Sequence, residues 1–153
     1  MNLSDCMKRH VVSVLSTATI REAAMIFVKK HIGLLPIVDQ DDKLIGAVGL
    51  RDMLSLELPD FVKFIADVDF VHDFGAVETN HPSAKVLEGS ITSLMKKEVI
   101  TVEEDCGLLR AYALMMQYNL HDMPVVSKDG KLVGIASRVD IGTAILSAWS
   151  KDE

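Results

Sequence analysis

The sequence predicts a mixed α/β (α+β) fold made of two copies of one β-α-β-β-α unit. Three observations predict it. A shift of 88 positions lays residues 7–54 onto 95–142 without a gap, giving 12 identities in 48 aligned positions. Each copy shows, in the same order, a short β-branched run, an apolar pattern of helical period and two short apolar runs around a polar turn. Hydrophobic residues make up 49% of the chain but aromatics only 5%, so the core is aliphatic. Neither copy carries enough apolar surface for a core of its own, which predicts that the two pack together.

The elements follow in chain order. Val11-Val12-Ser13-Val14 and Val99-Ile100-Thr101-Val102 are β-branched runs that suit a strand. Thr19 and Glu22 have the spacing of a capping box and open a helix. Its apolar face is Ile20, Ala23, Ala24, Phe27 and Val28; Leu108, Ala111, Tyr112, Met115 and Met116 hold the same five places in the second copy. Leu34–Val38 and Met123–Val126 read as short strands, then turns at Gln40-Asp41-Asp42 and Lys128-Asp129-Gly130. The Asp-Gly pair is a strong hairpin signal. Leu44–Val48 and Leu132–Ala136 close the hairpins, and Asp52 and Asp140 fall at the start of a second helix. Pro36, Gly46 and Asp52 recur as Pro124, Gly134 and Asp140.

Composition excludes several functions. With a formal net charge of −6, the chain lacks the basic surface that holds nucleic acid by general charge. No apolar run approaches the roughly 18 residues of a membrane span. Met1-Asn2-Leu3-Ser4-Asp5 shows no secretory leader, so a cytoplasmic protein is expected. A mean hydropathy of +0.25 in a chain this short implies aliphatic surface, as at a homodimer seam. Cys6 and Cys106 are expected to be reduced thiols.

The repeats resemble the tandem cystathionine-β-synthase (CBS) domain pair, also called a Bateman module. In the first copy the resemblance rests on Thr19-Ile20-Arg21-Glu22-Ala23-Ala24, on Ile32–Asp39, and on Leu44–Val48 with Asp52. In the second it rests on Met123–Val126 and on Leu132–Ser137 with Asp140. It covers about two thirds of the chain. It implies sheets packed around a pseudo-two-fold axis, clefts that accept AMP, ADP, ATP or S-adenosylmethionine as regulatory ligand, no obligatory cofactor, a homodimer and an unknown partner protein.

The family's ligand motif is Gly, hydrophobic, any residue, Thr or Ser, two residues, then Asp. Gly134-Ile135-Ala136-Ser137-Arg138-Val139-Asp140 meets it in full. By resemblance Asp140 accepts from the ribose hydroxyls, Ser137 bonds near the phosphate or ribose, Ile100, Thr101 and Ile135 flank the adenine, and Pro124 belongs to the same site. A carboxylate offers two acceptor oxygens, which suits a vicinal diol. A helix N-terminus beside it offers free N–H groups to a phosphate, and Arg138 can add a charge-assisted bond. The first copy departs from the motif: Gly49 stands where Ser or Thr is expected, although Arg51 and Asp52 remain. The expected second site, of Ser13, Pro36, Arg51 and Asp52, is therefore the weaker. Each residue also has a plainer reading: the aspartates and Ser137 as helix caps, the arginines as solvated surface, and Met115, Met116 and Met123 as core or interface.

The expected domains are residues 1–56, a connecting segment 57–91, and 92–153. The connector holds an expected helix, Leu58–Ala66, entered through Pro59, and four of the five phenylalanines: Phe61, Phe64, Phe70 and Phe74. Ser83–Glu88 is expected to add a helical turn. His72, Asp73, Glu78 and His81 are metal-ligand types, but their spacing matches no defined motif, so no metal site is expected. No P-loop, catalytic triad or His-Glu-x-x-His occurs, which points away from an enzyme. The expectation is a non-catalytic, ligand-sensing regulatory module; the alternatives are a ligand-free dimerisation or protein-interaction module, and a small enzyme or metal sensor built on residues 72–81.

Overall fold

The structure, a computed structural model, describes residues 1–58 and 81–150. In the first repeat β1 (Val14–Leu15), α1 (Ile20–Lys30), β2 (Leu34–Val38), β3 (Leu44–Gly49) and α2 (Leu50–Leu54) follow one another. The Thr19 hydroxyl accepts from the Glu22 N–H at 3.0 Å and so starts α1. Strand β2 runs parallel to β1 and antiparallel to β3, in the order β1-β2-β3.

A short helix, α3 (Ala84–Leu87), capped by Ser83, and a 3₁₀ turn at Ile91–Ser93 lead into the second repeat. There α4 (Leu108–Gln117), β4 (Asp122–Val126), β5 (Leu132–Ser137) and α5 (Arg138–Trp149) repeat the order, with β4 and β5 antiparallel. The expected strand before α4 shrinks to one parallel bridge, Val102 to Val125. Its counterpart in the first repeat is the pair Val14–Ile37. Even irregularities recur 88 positions apart. His31 and Asn119 are left-handed at the helix ends, Asp42 and Gly130 in the hairpin turns, and both hairpins shift register at the same place.

The repeats are interlocked rather than merely packed. Lys8 pairs with Ile135 of β5 through two backbone hydrogen bonds of 2.9 Å. Lys96 pairs with Ala47 of β3 in the same way, at 2.9 and 3.0 Å. Each repeat thus donates its leading segment to the sheet of the other. The cores follow: Leu3 and Met7 are buried with Met115, Met123 and Ile141, whereas Ile91 is buried with Ile20, Phe27 and Val48. In packing, therefore, the first residues of the chain belong with the second repeat. The symmetry axis passes by Lys43 and Lys131, which bridge to each other where the hairpins meet.

The helix faces are narrower than their apolar pattern. Ile20, Ala23 and Phe27 of α1 and Leu108, Ala111 and Met115 of α4 are buried. Val28 and Met116, expected on those faces, are each 64% exposed, and Tyr112 is exposed too. A two- or three-stranded sheet covers only part of a helix flank, so the outer half of each stripe has no partner within the chain. Met25, Leu54, Leu109, Val139, Leu146 and Trp149 extend this exposed apolar surface. Met115 and Met123 are core, as one of their readings held. Most of the expected Leu58–Ala66 helix, the four phenylalanines of the connector, and His72, Asp73 and Glu78 lie outside the described residues.

Candidate ligand clefts between the repeats

Ser137 is the N-cap of α5 and Asp140 its third residue. The Asp140 N–H donates to Ser137 Oγ, and the Ser137 N–H donates to Asp140 Oδ2, both at 3.0 Å. This reciprocal box holds the carboxylate at the head of a twelve-residue helix. The capping role is therefore real, and it leaves Asp140 Oδ1 without a described partner. In the first repeat only half the box exists: the Gly49 N–H donates to Asp52 Oδ2 at 2.8 Å, and Gly49 has no hydroxyl to return the bond.

The structure adds two residues that the motif does not contain. Lys8 Nζ lies 3.7 Å from Asp140 Oδ2, and Lys96 Nζ lies 3.6 Å from Asp52 Oδ1. Each lysine comes from the leading segment of the opposite repeat, and its backbone is fixed by the bridge to β5 or β3. The two belong to the 12 identities of the repeat. An identity at an exposed charged position has no packing cause, and that signal was available in the sequence.

A pocket of about 180 Å³ lies between the repeats, lined by Leu44, Ile45 and Gly46 of β3, by Lys97, Val99 and Thr101, and by Val126 and Gly130. Thr101 thus faces the strand that leads to Asp52. The expected set placed Ile100 and Thr101 with Asp140; here Thr101 falls on the Asp52 side because the leading segments are exchanged. Strand alternation also replaces Ile100 by Val99. Ile100 packs on the core of its own repeat, as Val12 does on the other. The repeat puts Val11 and Ser13 at the matching positions on the Asp140 side. Pro36 and Pro124 are fully buried in their sheets, opposite Ala47 and Ile135.

Arg138 does not extend freely from the motif. Its Nε donates to the Leu120 carbonyl, and an Nη donates to Asn119 Oδ1 at 3.0 Å. The aligned residue in the first repeat is Leu50, which borders an open apolar hollow with Phe27, Val28, His31, Ile32 and Gly33. Arg51 is exposed in the first turn of α2. Asp122, across the hairpin from Ser137, is half-buried, and its Oδ2 lies close against Gly33. Burial raises its carboxyl above the ordinary value, with a further push from Asp140, while Lys8 and His121 pull it back. Burial, then the Asp140 and Asp5 carboxylates, also raises the Cys6 thiol, which favours its protonated form. Cys6 and Cys106 are both free. His81 Nδ1 lies 3.2 Å from Glu57 Oε1, and no cluster of metal ligands occurs among the described residues.

The CBS domain profile matches residues 3–58 and 91–147, most of the chain. The chain belongs to the CBS domain family. The chloroplastic CBS domain-containing protein CBSX1 of Arabidopsis thaliana is 30% identical over 141 residues, covering 90% of this chain and 59% of that protein. This CBS pair therefore spans little more than half of that relative. Among solved structures, the CBS domain pair of MJ0100, described in complex with 5′-methylthioadenosine and S-adenosyl-L-methionine, has a TM-score of 0.70 and 26% identity, covering 97% of this chain and 98% of its own. CBSX2, described in complex with AMP, has a TM-score of 0.74 at 24% identity, covering 96% and 97%, and shares the fold. Among the described residues no helix is long and apolar enough to cross a membrane.

Proposed function

We propose that this CBS pair is a regulatory module of the cytoplasm, without catalysis of its own, that binds adenosine-containing ligands in the clefts between its repeats. One observation carries this reading: each motif aspartate is held at a helix start with a lysine from the opposite repeat against it, and on the Asp52 side a pocket opens along β3 between the repeats. The crossed geometry supports grouping Asp140, Ser137, Ile135 and Lys8 with Ser13, and Asp52, Arg51, Gly46 and Lys96 with Val99 and Thr101, while the fully buried Pro36 and Pro124 only shape the strands behind them. A vicinal diol takes the carboxylate, and the adenine lies between a leading segment and the Gly46 or Gly134 strand. The pocket of about 180 Å³ is below the roughly 300–1,000 Å³ of most ligand pockets, so it suits a flat base with the sugar at the mouth. The complex named for the MJ0100 pair supports the ligand class.

Sensing follows from differential affinity. A ligand that bridges both repeats favours the arrangement in which they close on it, and a partner protein reads that state. The exposed stripe of Leu109, Tyr112 and Met116 on α4 and Val139, Leu146 and Trp149 on α5 is the proposed homodimer seam, joined by Met25, Val28 and Leu54. Calorimetry with AMP, ATP and S-adenosylmethionine on the wild-type protein and on Asp140→Ala tests the ligand reading. Loss of one binding event in the variant is expected, and unchanged binding removes Asp140 from the site.

A further inference from the structure

The two repeats match in backbone but not in charge, and several of the differences fall beside the two motif aspartates. On the Asp52 side stand Lys96, 3.6 Å from the carboxylate, and Lys97, which lines the pocket beside Gly46 and Thr101. Lys97 has no ion pair among the described residues. Arg51 adds a cation next to Asp52, and Leu34 occupies the start of β2. On the Asp140 side the matching positions are different. Arg9, the counterpart of Lys97, is bound to Glu104 at 3.2 Å. The counterpart of Arg51 is Val139, and Arg138 is committed to Asn119 and Leu120. In place of Leu34 stands Asp122, directly across the β4–β5 hairpin from Ser137, the N-cap that holds Asp140. Among the described residues, Lys97 and Arg51 thus stand outside any ion pair on the Asp52 side, whereas on the Asp140 side Asp122 joins Asp140 near Lys8 and the two arginines are already engaged.

We infer that the two clefts are sorted by ligand charge: the Asp52 cleft takes an adenosine ligand with an anionic 5′ substituent, a phosphate or polyphosphate, and the Asp140 cleft takes one whose 5′ substituent is uncharged or cationic. The inference rests on the adenosine-binding reading above and goes beyond it by assigning a ligand class to each cleft. The difference between a stronger and a weaker site then depends on which ligand is offered. The net charge of −6 disfavours a nucleotide at long range, so local cations decide where a phosphate settles.

Calorimetry on two single-cleft proteins tests it, using ATP, adenosine and S-adenosylmethionine in low salt. Asp140→Asn leaves the Asp52 cleft, and Asp52→Asn leaves the Asp140 cleft. Asp140→Asn protein is expected to bind ATP about tenfold more tightly than adenosine, and Asp52→Asn protein to bind adenosine or S-adenosylmethionine at least as tightly as ATP. Adding Lys97→Gln to the Asp52 cleft should weaken ATP about three- to tenfold and leave adenosine within twofold; an unchanged ATP affinity counts against Lys97 as a selector. Adding Asp122→Asn to the Asp140 cleft should strengthen ATP by a similar factor. Circular dichroism confirms that each variant is folded. The same ATP-to-adenosine ratio in both single-cleft proteins overturns the sorting while leaving the adenosine reading intact. Failure of the folded wild-type protein to bind any of the three overturns both.

Discussion

Gly46→Ala probes the interlock on which both clefts depend. A Cβ on Gly46 would meet the Lys96 carbonyl oxygen at 2.8 Å, with Met95 Cγ and Sδ closer still. The Met95 side chain is flexible and can swing aside. The Lys96 carbonyl cannot, because it accepts from the Ala47 N–H at 3.0 Å while the Lys96 N–H donates to the Ala47 carbonyl at 2.9 Å. Relieving the clash requires the leading segment to withdraw. Overpacking costs about 1–3 kcal/mol, and each bridge bond lost costs about 1 kcal/mol, so the expected destabilisation is about 2–4 kcal/mol. At a urea m-value of about 2 kcal/mol/M, the midpoint falls by about 1–2 M, with the slope unchanged. Gly134→Ala is the internal comparison. Its worst contact is Met7 Sδ at 2.7 Å, and the Lys8 carbonyl is 3.1 Å away, so flexible atoms absorb more of the strain. Urea unfolding followed by circular dichroism should therefore rank Gly46→Ala below Gly134→Ala and both below wild type. Wild-type stability for Gly46→Ala would refute the exchange of leading segments as described.

Ser137→Ala should cost about 1 kcal/mol of stability through loss of the α5 cap, as should Thr19→Ala on α1, measured as a fall in Tm; a cost at Thr19 only would remove Ser137 from the capping role. Asp122 gives a pH signature. Its carboxyl is raised above 3.8 in the fold, so the unfolded chain ionises first as pH rises. Stability is then lost between the ordinary value and the folded value, and the penalty persists above it. The Tm of Asp122→Asn minus that of wild type should rise with pH through this window; a flat or falling difference contradicts the burial argument. Met116→Glu and Val139→Glu lie at 64% and 70% exposed positions, so each should change monomer stability by no more than about 0.5 kcal/mol. Sedimentation should nevertheless show a dimer for wild type and a monomer for both variants.

The fold was legible because its signals are local. β-Branched runs, the Thr19 cap, the Asp129-Gly130 turn and the 88-residue repeat each depend on neighbours in sequence. Helix α3 followed from Ser83 in the same way. The exposure of Val28 and Met116 was not legible, since helical period marks an apolar stripe but not how much of it a sheet covers. The motif residues at Asp140 and Ser137 could be read, including their capping alternative, which coexists with an open acceptor at Asp140 Oδ1. Their companions could not. Linear order puts Thr101 with Asp140, and only the exchange of leading segments carries Thr101 to Gly46 and Lys8 to Asp140. The commitment of Arg138 to Asn119 and Leu120 depends on the left-handed turn after α4, which no short-range pattern announces.

Calorimetric titration of AMP, ATP and S-adenosylmethionine into the wild-type protein, repeated with Asp140→Ala and Asp52→Ala, tests the central claim most directly. The account predicts saturable binding of an adenosine ligand to wild type, loss of one binding event in each single variant, and none in the double variant. Absence of binding to folded wild-type protein, or binding unchanged in the folded double variant, would contradict it.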